Sequence, residues 1–172
     1  TAEKLYFNAY INDMTKTDLN LVLTKKFGDK WSTALMLHDN FQVKTKVDYN
    51  KDGFRDMTTG NLFTAINRWN YNGVKGFESQ LGFKILVDEF TAGQTSIDPG
   101  KDKFTTNSYG LGIKTNRYEL YAKAGYVFPE KKYKSIGFQF SAFTHRQDSY
   151  FGMTTYDGRQ KNIYANLIYQ SI

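Results

Sequence analysis

Apolar and polar residues alternate with a period of two along nearly the whole chain. A chain patterned that way folds as strands whose two faces meet different surroundings. Leu5, Phe7, Ala9 and Ile11 share one face, while Tyr6, Asn8, Tyr10 and Asn12 share the other. Leu19, Leu21 and Leu23 repeat the pattern, then Trp31, Thr33, Leu35 and Leu37, then Phe63, Ala65 and Trp69. The longest run is Phe77, Ser79, Leu81, Phe83, Ile85 and Val87, opposed by Glu78, Gln80, Gly82 and Lys84. Tyr118, Leu120, Ala122, Ala124, Tyr126 and Phe128 follow, then Ile136, Phe138, Phe140 and Ala142, and last Ile163, Ala165, Leu167 and Tyr169. No segment sustains the three-and-four spacing of a helix, so the expected fold class is all-β.

Gly28-Asp29-Lys30 predicts a tight turn, Asn70-Tyr71-Asn72-Gly73 opens a second that reaches residue 76, and Pro129-Glu130-Lys131-Lys132 begins a third. Polar stretches at 39–60, 88–106 and 146–160 predict longer loops, and Asp13–Asp18 a short link. Between Tyr109 and Phe128 the apolar phase reverses: Tyr109, Leu111 and Ile113 alternate one way, and Tyr118 onward the other. A hairpin at Thr115-Asn116-Arg117 accounts for this, and so does one long strand that slips at a bulge. Outer-membrane barrels keep short turns on one side and long loops on the other. Only the single-strand reading preserves that rhythm, and it gives about eight antiparallel strands.

Composition turns the strands toward a membrane wall. Thirteen Tyr, 14 Phe and two Trp carry most of the apolar surface, although the mean hydropathy is −0.58. Soluble cores rely instead on Leu, Ile and Val. The apolar faces run for ~9–11 residues, enough for a tilted strand to cross a bilayer. Tyr6, Phe27, Trp31, Trp69, Tyr71, Phe128 and Tyr133 gather near strand ends, as interfacial girdles do. Glu78, Gln80, Lys84, Glu119, Lys123 and Gln139 stand at mid-strand on the opposite faces, with Gly82, Gly110 and Gly112 expected beside them. They suit a wet lumen and would be costly against lipid. A soluble β-sandwich or barrel with one wet face also alternates.

Several classes are excluded. Without cysteine the chain has neither a disulfide framework nor a thiolate metal site. Its charge of +6 is spread with no Lys/Arg run longer than two, so no nucleic-acid partner is expected. No apolar run approaches the ~18–20 residues of a membrane helix, and Thr1-Ala2-Glu3-Lys4 does not read as a signal peptide. His38 and His145 are isolated, Asp148 and Asp157 lack an evident nucleophile or second carboxylate, and Gly110-Leu111-Gly112 lacks the third glycine of a phosphate loop. No catalytic residue is expected and the chain is read as a non-enzyme. Tyr109, Tyr150 and Tyr156 are candidate contacts for a small molecule, because a tyrosine offers ring area and a hydroxyl together.

One constellation carries metal chemistry. Asp48, Asn50, Asp52 and Asp56 occupy positions one, three, five and nine of a calcium loop, with Gly53 at six and the Phe54 carbonyl at seven. Calcium takes six to eight oxygens, and this spacing wraps them around one point. Thr59 stands at position twelve in place of the usual bidentate Glu, which predicts weaker binding or a ligand from another loop. A polar turn without an ion is the alternative; with calcium, the loop over 48–60 would be ordered near a substrate mouth.

The run Asp48-Tyr49-Asn50-Lys51-Asp52-Gly53-Phe54-Arg55-Asp56-Met57, followed by Asn67-Arg68-Trp69-Asn70-Tyr71, resembles the barrel of Bacteroidetes-type TonB-dependent outer-membrane receptors. So do Tyr109-Gly110-Leu111-Gly112-Ile113, Gly125-Tyr126-Val127-Phe128-Pro129, Ser135-Ile136-Gly137 and the stretch from Asn162 to Ser171. The resemblance implies an antiparallel transmembrane β-barrel of about 22 strands with a plug domain, of which residues 1–172 would be an internal segment without the plug. A final strand ending Tyr169-Gln170-Ser171-Ile172, with no terminal aromatic, agrees with an excerpt. It further implies import of a ferric siderophore, haem or cobalamin, with outer-membrane lipid, the TonB complex and a surface lipoprotein as partners. The rival expectations are a complete eight-stranded barrel acting as anchor or adhesin, and a soluble carbohydrate-binding β module.

Overall fold

Eight strands follow one another as a meander in the computed structural model, which describes residues 4–44 and 46–171. Thr1–Glu3, Thr45 and Ile172, and with them the readings of both termini, lie outside the described residues. The strands are β1 (Leu5–Ile11), β2 (Lys16–Phe27), β3 (Trp31–Gln42), β4 (Thr59–Val74), β5 (Phe77–Gly93), β6 (Gly110–Val127), β7 (Ser135–Phe151) and β8 (Thr154–Gln170). They form one antiparallel sheet in sequence order, and the described residues contain no helix. β1 and β8 are its two edges and do not meet, so the sheet is open.

The registers put an apolar run of every strand on the same face. Leu5 pairs with Leu23, Leu23 with Leu35, Leu35 with Asn67, Asn67 with Phe83, Phe83 with Leu120, Leu120 with Ala142 and Ala142 with Ile163. The polar member of this row, Asn67, is satisfied within the sheet. Its Nδ2 donates to Thr33 Oγ1 at 3.3 Å and to the Ala34 carbonyl at 3.4 Å, and its Oδ1 accepts from Trp69 Nε1 at 2.7 Å. Apolar side chains thus form a continuous band across all eight strands. No second layer covers it: among the described residues no large side chain is fully buried, and Phe7, Phe83, Leu120 and Leu167 stand exposed.

The band narrows toward β8. Its upper edge, toward the loops 43–58 and 94–109, lies at Val87 on β5, Tyr118 on β6, Ala142 on β7 and Ile163 on β8. Strict register would carry Val87 to Asn116, Arg146 and Arg159 instead. The upper edge therefore drops four residues, ~13 Å, between β5 and β7 and stays level to β8, while the lower edge at Phe77, Tyr126, Ile136 and Tyr169 follows the register without a drop. Aromatic rings line the lower edge: Phe27 stacks on Trp69 at 5.5 Å, Trp31 meets Tyr71 at 4.7 Å, and Tyr71 meets Phe77 at 6.2 Å.

Several sequence expectations need correction. β4 runs through Asn70-Tyr71-Asn72-Gly73 to Val74 and turns at Lys75-Gly76, where Gly76 takes φ 81°. The 146–160 stretch is strand, joined by the two-residue turn Gly152-Met153 with Gly152 at φ 59°. β3 and β5 also run past the expected loop starts, to Gln42 and Gly93. Polar strand above the band mimics loop composition, because it needs no apolar face there. β6 is the single strand expected, but its pairing is unbroken on both sides at Thr115-Asn116-Arg117, so the phase reverses without a bulge. Above the band the two faces exchange character: Lys114 and Asn116 fall on the band's side, and Leu111 and Ile113 on the other. Gly110 and Gly112 accordingly lie on the band's face and not beside Glu119 and Lys123.

Candidate functional site

Two regions carry chemistry: the polar face opposite the band, and a knob made by the two long upper loops.

On the polar face, alternation brings Glu78, Gln80, Lys84, Glu119, Lys123 and Gln139 together as expected. Gln80 pairs with Lys123 and Lys123 with Gln139, while Lys84 pairs with Glu119. Arg117 Nη2 lies 3.0 Å from Glu119 Oε2, and its guanidinium sits 3.9 Å from the centre of the Phe143 ring. Gln80 Nε2 donates to Asn70 Oδ1 at 2.9 Å. A groove of about 630 Å³ opens here, lined by Ser32, Asn70, Glu78, Gln80, Lys123 and Gln139. The ring of Tyr121 lies flat where a Cβ on Gly82 would stand, so that glycine makes room for a tyrosine in the polar surface. His38 bonds Asn20 at 2.8 Å on this face; His145, on β7, is well apart from it. Donors, acceptors and both charge signs at fixed spacing can recognise a polar solute.

The knob rises on the opposite side, the side of the band. Ile97 packs over Gly110, filling the space a Cβ would need, and Tyr150 leans in the same way on Gly112. Val47 is 6 % exposed, Ile97 4 % and Tyr150 6 %, so three of the four buried hydrophobic residues among the described residues meet in the knob. Phe104 meets Tyr150 edge-on at 5.9 Å, and Lys103 lies 4.8 Å from the Tyr150 ring centre. The loops are laced by backbone bonds from Arg55 N to the Gly93 carbonyl at 2.9 Å and from Thr95 N to the Gly53 carbonyl at 2.8 Å. Arg55 clamps both, donating to Thr59 Oγ1 at 3.0 Å and to the Ile97 carbonyl at 3.1 Å. Burial lowers the pKa of this guanidinium, and Tyr150 opposes the shift.

The calcium-type loop is the rim of the knob. Asp48 Oδ2 accepts the Gly53 N–H at 3.0 Å, Asp52 Oδ1 the Phe54 N–H at 2.7 Å, and Asp56 Oδ2 the Tyr49 N–H at 2.6 Å. Asn50 Oδ1 accepts the Asp52 N–H at 3.1 Å, and Asn50 Nδ2 donates to Asp52 Oδ2 at 3.0 Å. Gly53, at φ 86°, and Lys51, at φ 59°, make the sharp turn. Each carboxylate thus spends one oxygen on the backbone. Asp48 Oδ1 is closed to solvent and has no hydrogen-bond partner. Among the described residues no three His, Asp or Glu side chains already converge as a metal centre. Thr59, at the twelfth position, starts β4, and its Oγ1 is taken by Arg55.

Two further expectations change. Asp148 and Asp157, expected to be unpaired, are directly opposite one another on β7 and β8. Arg146 Nε bridges Asp148 at 2.8 Å, and Asp157 Oδ1 accepts the Ser149 N–H at 3.2 Å, so both serve as ordinary partners on an open face. Tyr150, a candidate contact, is buried beneath the knob, whereas Tyr156 stands exposed on the other face. Ile97 and Val47 are packing residues that alternation does not mark; the available signal was an aliphatic side chain inside each polar loop. No family model, curated protein or solved structure matches the chain.

Proposed function

We propose that this chain is a stretch of the wall of a TonB-dependent outer-membrane receptor, importing a scarce nutrient such as a ferric siderophore, haem or cobalamin by energised, gated transport. The observation that carries the reading is the uncovered apolar band that crosses every strand. On β5 the band runs from Phe77 to Val87, ~33 Å along the strand. Tilted by about 40°, that is roughly 25 Å of height, the thickness of the lipid-facing belt of such barrels. In water, the same surface would drive aggregation.

In this reading outer-membrane lipid covers the band and the polar face lines the lumen. The solute meets Glu78, Gln80, Lys123 and their neighbours there. The TonB complex acts through a plug domain, and a surface lipoprotein is the partner at the mouth. Transport requires binding and release, so no residue is given a catalytic role.

The open edges favour a larger barrel over a closed one of eight strands. Lipid does not tolerate an unpaired strand edge, and β1 and β8 do not pair. A soluble carbohydrate-binding module would require a second layer over the band. Refolding tests the reading: far-ultraviolet circular dichroism is expected to show strand structure in micelles or lipid vesicles, with the band protected from added protease. A chain that is monomeric and folded in plain buffer would overturn it.

We also propose that Asp48, Asn50, Asp52 and Asp56, with the Phe54 carbonyl, hold Ca²⁺. The support is the spacing, the Gly53 turn and the unpartnered Asp48 Oδ1, since an orphaned buried carboxylate oxygen is costly without a cation. The loop leans over the band's face, so calcium would brace the knob outside the wall and not the lumen mouth. Calcium is expected to slow amide exchange over residues 47–57 by roughly tenfold or more in the wild-type chain, and not in Asp48→Ala. Equal exchange with and without calcium would remove the site.

A further inference from the structure

Charge on the band's face above its slanting edge is not scattered. Lys161 lies two residues above the edge on β8, Arg159 four residues above it, Arg146 four above it on β7, and Lys114 four above it on β6. Arg146 and Arg159 are directly opposite one another, and strand spacing sets Lys114 beside Arg146 along the slope. The acidic residues of β7 and β8, Asp148 and Asp157, stand one step farther out. On β7 and β8 cations therefore hug the apolar edge and carboxylates lie beyond them, whereas on β5 Glu89 stands two residues above Val87.

Some of this charge is spent internally. Lys114 Nζ is 2.9 Å from Glu89 Oε2, and Arg146 Nε is 2.8 Å from Asp148 Oδ2. Arg159 and Lys161 have no acidic partner within salt-bridge distance among the described residues, and both are exposed. A strand added along the edge of β8 would cover its backbone, not this face.

From this arrangement we infer that Arg159 and Lys161, with Arg146 beside them, bind the phosphates of anionic lipid headgroups in the leaflet around the wall. The inference rests on the membrane-wall reading. Two to four residues above the band, on strands tilted by about 40°, place the cations ~5–10 Å above the hydrocarbon edge, within the headgroup layer. Phosphate there meets two unpaired cations, one of them a guanidinium able to bond two oxygens at once. The apolar band holds the acyl chains of the same lipid directly below, so a lipid satisfies both surfaces where free phosphate satisfies one.

The test uses the full chain in phosphatidylcholine vesicles, with and without a minor fraction of lipid A, followed by extraction and native mass spectrometry of retained lipid. Wild type is expected to retain lipid A over phosphatidylcholine. Arg159→Gln/Lys161→Gln is expected to lower that preference roughly tenfold or more, with Arg159→Lys partly restoring it and Lys123→Gln, on the other face, leaving it unchanged. Excess inorganic phosphate should not displace the lipid; displacement would overturn the assignment to a headgroup. Insertion with no preference for lipid A, or with the same preference in the double variant, would overturn this inference alone. Failure of wild type to insert into any vesicle would overturn it together with the membrane-wall reading.

Discussion

Phe83→Arg is expected to destabilise the folded chain in a bilayer by about 2–4 kcal/mol, the cost of a guanidinium near the midplane of a barrel wall. Phe83 is central in the band, between Asn67 on β4 and Leu120 on β6, and its ring is exposed. Nothing in the protein would have to move to admit arginine, so the whole penalty comes from lipid. Gln80→Arg, on the same strand but the opposite face, is expected to fall within about 0.5 kcal/mol of wild type, as surface changes usually do. Denaturant titration of vesicle-inserted protein, followed by tryptophan fluorescence, measures both. Equal effects at the two positions would mean that the faces do not meet different media.

Gly110→Val should detach the knob at a cost of about 1–3 kcal/mol, the usual penalty for overpacking. The new Cβ would occupy the position of the Ile97 methyl, and Ile97 is the best-buried apolar side chain among the described residues. Arg55 would lose its acceptor at the Ile97 carbonyl, and the bonds between the loops would loosen with it. Amide exchange at residues 53–56 and 94–98 is expected to quicken by roughly tenfold or more, with the β5–β6 pairing below unchanged. Gly125→Val is the control, because a Cβ there meets nothing within 4 Å. If protection of the loops survives Gly110→Val, they are held by something other than Ile97.

The loops and the upper strands were the least legible parts of the chain. Arg146, Asp148, Asp157 and Arg159 read as loop because their neighbourhood lacks an apolar face. They are strand nonetheless, since antiparallel pairing needs only backbone groups and a turn such as Gly152-Met153. The phase reversal near Thr115-Asn116-Arg117 read as a bulge or hairpin for the opposite reason. Alternation marks which face is apolar, and that face can change along an unbroken strand when the surroundings change. The calcium-type loop was readable as a spacing, but its place over the band was not, because residues 94–109 that hold it there are distant in sequence.

The sequence by itself determined the all-β class, the number of strands and the face of each apolar run, because alternation is a local property of every strand. The tertiary structure decided how those runs meet. Register set Leu5, Leu23, Leu35, Phe83, Leu120, Ala142 and Ile163 in one row, lowered the band's upper edge toward β8 and paired Asp148 with Asp157, and loop packing lodged Ile97 against Gly110. Each of these depends on which residues of different strands stand opposite, and backbone pairing and loop packing settle that together.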